Sequence, residues 1–161
     1  MKFKKISIAL VVFMMVGLAI FTQLLIRQEK KAGLENIQRK GNDIVSLIAL
    51  HSIKDFKGDR RDFFLKTVIE NTSYQNLAYC FINDGNGKPV VSLSPAHLEN
   101  QIPQEVSTSA LASMGMIHQT FKTDKSGERI YEFAKPIFEK GEKTGTVRIG
   151  LKYISPSIIS M

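Results

Sequence analysis

Tryptophan is absent from this chain, cysteine occurs once, at Cys80, and no proline stands before Pro89. A lone cysteine excludes an intrachain disulfide, and the apolar neighbours of Cys80 mark it as core rather than as a nucleophile. The three histidines, His51, His97 and His118, lie far apart, and no two potential ligands have the spacing of a zinc site. Gly-x-Ser-x-Gly, His-Glu-x-x-His, a phosphate-binding P-loop and Cys-x-x-Cys-His are all missing, which removes the usual sequence marks of a hydrolase, a zinc protease, a nucleotidase and a covalent haem protein. Gly85-Asn86-Gly87 stands in a hairpin pattern rather than between a strand and a helix, so it reads as a turn. The expectation is a protein that is not an enzyme and carries no metal or other cofactor. Haem held by a single histidine, or another redox sensor, remains the alternative. No dense basic tract interleaved with aromatics appears either, so no nucleic-acid partner is expected.

Charge is also lacking where it matters most. Residues 6–26 contain none, and Gln23 is their only strongly polar member. About 20 apolar residues cross a bilayer core of roughly 30 Å, so this run is read as a transmembrane helix. No small-x-small cleavage site follows it, which favours an uncleaved anchor over a signal peptide. The short, lysine-led N-terminus (residues 1–5, with Lys2, Lys4 and Lys5) is expected in the cytoplasm. Residues 27–154 would then form an extracytoplasmic domain, with 155–161 as a tail. Of the formal charge of +7, the three N-terminal lysines account for 3, leaving 7 − 3 = +4 for the remainder.

With no proline to break it, the helix is expected to continue to about Ile53. Leu34, Ile37, Gly41, Ile44, Ile48 and His51 recur at spacings of three and four, as in a heptad seam, with Val45, Ala49 and Ser52 on a neighbouring face. That stripe could pack on its own domain, pair with a second copy, or do both. A second helix is predicted from Asp59 as N-cap to Asn71. The texture then changes. Strands are predicted at 77–82 and 89–93 around the positive-φ-tolerant cluster 83–87, followed by a short helix around Val106 to Met114. Three more strands, at 116–123, 129–138 and 144–152, are separated by tight turns, so they pair antiparallel. Val147, Ile149 and Leu151 should face one way on the last strand, and Thr146, Arg148 and Gly150 the other. Pro136 predicts a bulge or an unpaired position. The class is α+β with one sheet.

The membrane-emergent helix, the turn Phe81-Ile82-Asn83-Asp84-Gly85-Asn86-Gly87, the run Ala134-Lys135-Pro136-Ile137 and the closing Gly145-Thr146-Val147-Arg148-Ile149-Gly150-Leu151 together resemble the single Cache or PDC domains. These are the extracytoplasmic PAS-like sensor domains of bacterial sensor kinases, chemoreceptors and diguanylate cyclases. The resemblance implies a five-stranded antiparallel PAS-like sheet with the long helix on one face and a small-molecule pocket on the other. It also implies a homodimer through the long helix and an output kinase, cyclase or chemoreceptor module. Receptors of this kind continue into a second span. No second span occurs before Met161, so a receptor fragment or a subunit with a separate output partner is expected.

A pocket needs polar groups converging on an apolar concavity. Sheet positions offering them are Tyr79, His118, Tyr131, Lys135 and Arg148, with Arg148 or Lys135 suited to a carboxylate. The expected function is a sensor at the cytoplasmic membrane, domain outward, that binds a small metabolite. The alternative is a membrane-anchored protein-interaction module without a ligand.

Overall fold

A computed structural model describes residues 2–57, 60–71, 76–95, 98, 100–123 and 126–153. Some helix side chains, those of residues 2–12 among them, lie outside this description, as do the predicted cap Asp59, His97 and the tail 155–161. The chain divides into two compact units, Met1–Glu35 and Asn36–Met161, and helix α1, Lys2–Ala49, contributes to both.

The first unit is helix alone. Phe13, Met14, Leu18 and Phe21 are exposed on it, and the Thr22 hydroxyl donates to the Leu18 carbonyl at 2.8 Å. Among the described residues no helix is long and apolar enough to cross a membrane. The span predicted at 6–26 falls partly on residues whose side chains are not described.

The second unit holds a five-stranded sheet in the order β2-β1-β5-β4-β3, with every pairing antiparallel. The strands are β1 Leu77–Asp84, β2 Pro89–Leu93, β3 Ile117–Lys122, β4 Arg129–Glu139 and β5 Glu142–Lys152. Of the turn predicted between β3 and β4, Asp124 and Lys125 lie outside the described residues; the other predicted turns join β1 to β2 and β4 to β5. In the first of them Asp84 Oδ1 accepts from the Asn86 and Lys88 amides at 3.0 and 2.9 Å, while Gly87 adopts φ +80°. An aspartate that satisfies local amides and a glycine free to go left-handed are what so tight a reversal requires. Pro136 pairs with Thr146, beyond the last β3–β4 pair at Ile117 and Ala134, and the register shifts one residue later, between Ile137 and Phe138. Its missing N–H is therefore placed where the ladder is already irregular.

The helix ends earlier than periodicity predicts, at Ala49 rather than near Ile53. The Ser52 amide donates to Asp55 Oδ2 at 3.2 Å and the Ile53 amide to Glu139 Oε1 at 3.1 Å, and the Ser52 hydroxyl also donates to Glu139. Side-chain acceptors thus replace the next helical turn, and a 3₁₀ turn, Ile53–Lys57, follows. Helix α2, Arg60–Asn71, comes next; helix α3, Gln104–Ala112, lies in the long β2–β3 connection.

The sheet separates two apolar clusters. On one face Ile37, Ile44, Val45 and Ile48 of α1, with Phe56, Phe64 and Val68, cover Cys80, Ile82, Phe133, Val147, Ile149 and Leu151. Ile37, Ile44 and Ile48 of the heptad stripe, with the neighbouring Val45, thus pack on the chain's own sheet, while Leu34 is half-buried and His51 exposed. On the other face Leu98 and Val106 cover Tyr79, Phe81, Phe121 and Ile130. The alternation predicted for β5 is observed, with Arg148 on this second face.

Candidate functional site

Antiparallel pairing brings three polar residues of the second face together. Arg148 donates from Nε to Glu132 Oε1 and from Nη2 to Glu132 Oε2, both at 3.0 Å, and Nη2 also donates to Ser107 Oγ at 3.1 Å. The Tyr79 hydroxyl donates to the same Glu132 carboxylate. Glu132 is wholly buried and Arg148 nearly so. Three donors on two oxygens, two of them in a bidentate fork, is how a desolvated carboxylate is held. Burial, with the Glu132 charge next in size, pushes the Tyr79 phenol well above its ordinary range, so it stays a neutral donor. Gly150 makes the arrangement possible, because a methyl there would overlap the Tyr79 ring. The guanidinium carbon also lies 5.8 Å from the centre of the Phe81 ring, within cation–π range.

Beside this cluster opens a cavity of about 320 Å³ lined by Phe81, Asn83, Pro89, Ser92, Ile102, Ser107 and Arg148, a size suited to a small ligand. Asn83 is only 6% exposed. Its Nδ2 donates to the Gly87 carbonyl at 2.9 Å, which fixes the orientation of the amide, and its Oδ1 has no partner among the described residues. That oxygen is closed off from solvent, so it is an unmet acceptor of the interior rather than a group the cavity presents. Ser107 of helix α3 lines the cavity, and Lys143 secures the end of that helix by donating to the Leu111 and Ser113 carbonyls. Burial holds that ammonium below the ordinary lysine range.

The five candidate residues divide between the faces. Tyr79 and Arg148 meet at Glu132. Lys135 instead donates to Ser46 Oγ on α1 at 3.2 Å, and His118 Nε2 lies 2.7 Å from Asn42 Oδ1 and packs edge-on against Phe133. Tyr131 packs on the α1-side cluster. Lys135 and His118 fasten helix to sheet, and none of the three lines the cavity. Glu132 and Asn83 were missed. Glu132 left a signal, a charge inside the strand-like run Ile130-Tyr131-Glu132-Phe133-Ala134, whereas Asn83 read simply as a turn residue.

A second cavity, of about 340 Å³, lies between the end of α1, the 3₁₀ turn and α2, lined by Leu47, Ile48, His51, Asp55, Phe56, Phe63 and Phe64. Its wall is almost entirely carbon, so it lacks the converging polar groups that orient a small polar ligand. Among the described residues no cluster of histidine, cysteine or acidic side chains could hold a metal ion.

No protein-family profile matches the chain, and no curated protein does. Solved structures do. The periplasmic domain of LuxQ from Vibrio cholerae is similar at 12% identity and a TM-score of 0.50, over 75% of this chain and 59% of its own. An extracellular ligand-binding receptor from Desulfohalobium retbaense is similar at 21% identity and a TM-score of 0.52, over 83% of this chain and 25% of its own. The chain thus spans less than two thirds of either structure. At these identities the likeness shows the fold alone, and it agrees with the five-stranded antiparallel PAS-like sheet expected from the sequence.

Proposed function

We propose that residues 27–154 form an extracytoplasmic sensory domain that binds a small polar molecule on the sheet face opposite α1. The observation that carries this reading is the cavity beside Arg148, where the carbon of Phe81, Pro89 and Ile102 meets the polar residues Asn83, Ser92, Ser107 and Arg148. The role is binding rather than catalysis, because the most deeply buried titratable groups there, Glu132, Arg148 and Tyr79, are engaged with one another. Membrane anchorage rests on the uncharged run at residues 6–26, and the outward placement on the lysines before it. The similar structures, a periplasmic domain and an extracellular ligand-binding receptor, support the same side of the membrane.

Signal would leave through α1. Gly41, Asn42 and Ser46 meet Phe133, His118 and Lys135 on β3 and β4, and Glu132 alternates with Phe133 on β4. A ligand moves that helix only in so far as it binds one arrangement better than another. An output kinase, cyclase or chemoreceptor module would read the movement. A homodimer through α1 would use its outward side, Leu47 included, because Ile37, Ile44 and Ile48 face the sheet.

The test is thermal melting of the full chain in a mild detergent against a broad panel of small carboxylates, amides, amino acids and polyols. A variant with the cavity blocked, Ser107→Phe, serves as control. A compound present at a hundredfold its dissociation constant stabilises by about 2.7 kcal/mol. Stabilisation of the parent chain but not of Ser107→Phe supports the reading, and a panel that moves neither melt overturns it. The competing reading, an interaction module, draws on the exposure of Leu50 and Phe63, 81% and 71%, around the carbon-lined cavity. Capture of a specific membrane receptor that is lost on Phe63→Ser, together with a silent panel, would favour it.

A further inference from the structure

Among the described residues Arg148 alone brings a charge to the cavity lining; Phe81, Asn83, Pro89, Ser92, Ile102 and Ser107 carry none. An arginine in such a wall is suited to seat an anion. Here its charge is already balanced. Nε and Nη2 each donate to Glu132 at 3.0 Å, and the Phe81 ring lies beside the guanidinium at 5.8 Å. Glu132 is wholly buried and Arg148 nearly so, so little water intervenes to weaken the pairing. The Tyr79 phenol, kept neutral by burial, adds no charge. Lys143 is engaged elsewhere, by the Leu111 and Ser113 carbonyls at the end of α3.

Glu132 thus acts on the cavity without lining it. A ligand carboxylate about 4 Å from the guanidinium would lie about 7 Å from Glu132 on its far side. Because the interaction falls with the inverse of distance, repulsion takes back roughly half of the attraction, while the anion still gives up its hydration. An uncharged molecule gives up less, and a polar group remains to orient it. Ser107 Oγ accepts from Arg148 Nη2 at 3.1 Å, which turns the serine proton away from the guanidinium. That proton can be donated to a hydroxyl or carbonyl oxygen in the cavity, with the ligand's carbon against Phe81, Pro89 and Ile102.

We infer that Glu132, although outside the lining, sets the charge preference of this cavity. With its carboxylate in place the site takes small uncharged molecules bearing a hydroxyl or carbonyl oxygen and rejects carboxylates of the same skeleton. The inference rests on the proposed binding role and names both the ligand class and the residue that fixes it.

Titration calorimetry on the full chain in mild detergent tests it with two matched pairs, propane-1,2-diol against lactate and hydroxyacetone against pyruvate. The expected result is at least about tenfold tighter binding of the uncharged member of each pair. In Glu132→Gln the guanidinium is left uncompensated, and the ratio should move at least about tenfold toward the carboxylates. Adding Arg148→Gln to that variant makes the site neutral again and should restore the preference for the uncharged member. Damage to packing alone would weaken both members of a pair together and leave their ratio in place. Carboxylates binding the parent chain as tightly as their partners overturn the inference. So does a ratio that Glu132→Gln leaves unchanged, or one that the double variant does not restore. If the variants do not fold, the ratio for the parent chain decides alone. Should all four probes be silent while another compound stabilises the parent chain and not Ser107→Phe, its charge decides: a carboxylate overturns the inference and leaves the pocket standing, and an uncharged compound supports both. Silence from the whole panel removes both.

Discussion

The ring of Phe133 on β4 lies against Gly41 of α1 so closely that a methyl group on Gly41 would overlap it. The helix therefore approaches the sheet at the one position of its stripe that has no side chain. In an isolated helix, replacing this glycine by alanine would gain about 1 kcal/mol. Here Phe133 is 1% exposed, and its ring has nowhere to retreat. So deep an overlap belongs to the upper part of the usual overpacking cost, about 2–3 kcal/mol, so with the helix gain subtracted Gly41→Ala should lower stability by about 1–2 kcal/mol in urea unfolding. A variant as stable as the parent would mean that helix and sheet are not in contact there.

The buried pair makes a non-additive prediction. Glu132→Ala leaves the Arg148 charge in a closed interior and should cost about 3–5 kcal/mol. Replacing both members by apolar residues of similar size, Glu132→Leu with Arg148→Met, should cost clearly less than the two single changes summed. Denaturant unfolding of the four proteins measures the coupling, and strict additivity would show that the two side chains act independently.

Burial pushes the Cys80 thiol from its ordinary value up to about 12, and it raises the Tyr79 phenol as well. Above the ordinary thiol range the unfolded chain releases a proton that the folded chain keeps. Stability contributed this way is complete below about pH 9 and is lost as the pH climbs toward 12, by about 1.4 kcal/mol per unit for one proton. Cys80→Ala should flatten the decline between pH 9 and 11 by one proton. Cys80 should also resist thiol reagents at pH 8 until the protein is unfolded; prompt labelling of the native chain would place it at the surface.

Much of the fold could be read from local chemistry. The β5 alternation, with Val147, Ile149 and Leu151 opposite Thr146, Arg148 and Gly150, followed from a period of two, and the hairpins followed from Asp84, Gly87 and their like. The end of α1 did not, because the Ser52 and Ile53 amides find their acceptors on Asp55 and on the distant Glu139. The candidate site was half legible. Alternation along a strand says which residues share a face of that strand, but not how β3 and β4 align with β5. His118, Tyr131 and Lys135 thus looked equivalent to Arg148 until register placed them on the helix side. The same register brought Glu132 beneath Arg148, which no spacing in the sequence announces.

The central claim is that a ligand enters beside Arg148 and not at the carbon-lined cavity near Phe63. Methyl-resolved NMR of the full chain in detergent, titrated with the pooled panel of amides, carboxylates and amino acids, separates the two through Ile102 and Leu47. The account predicts saturable shifts of the Ile102 methyl signals with Leu47 unmoved; shifts at Leu47 with Ile102 silent would contradict it.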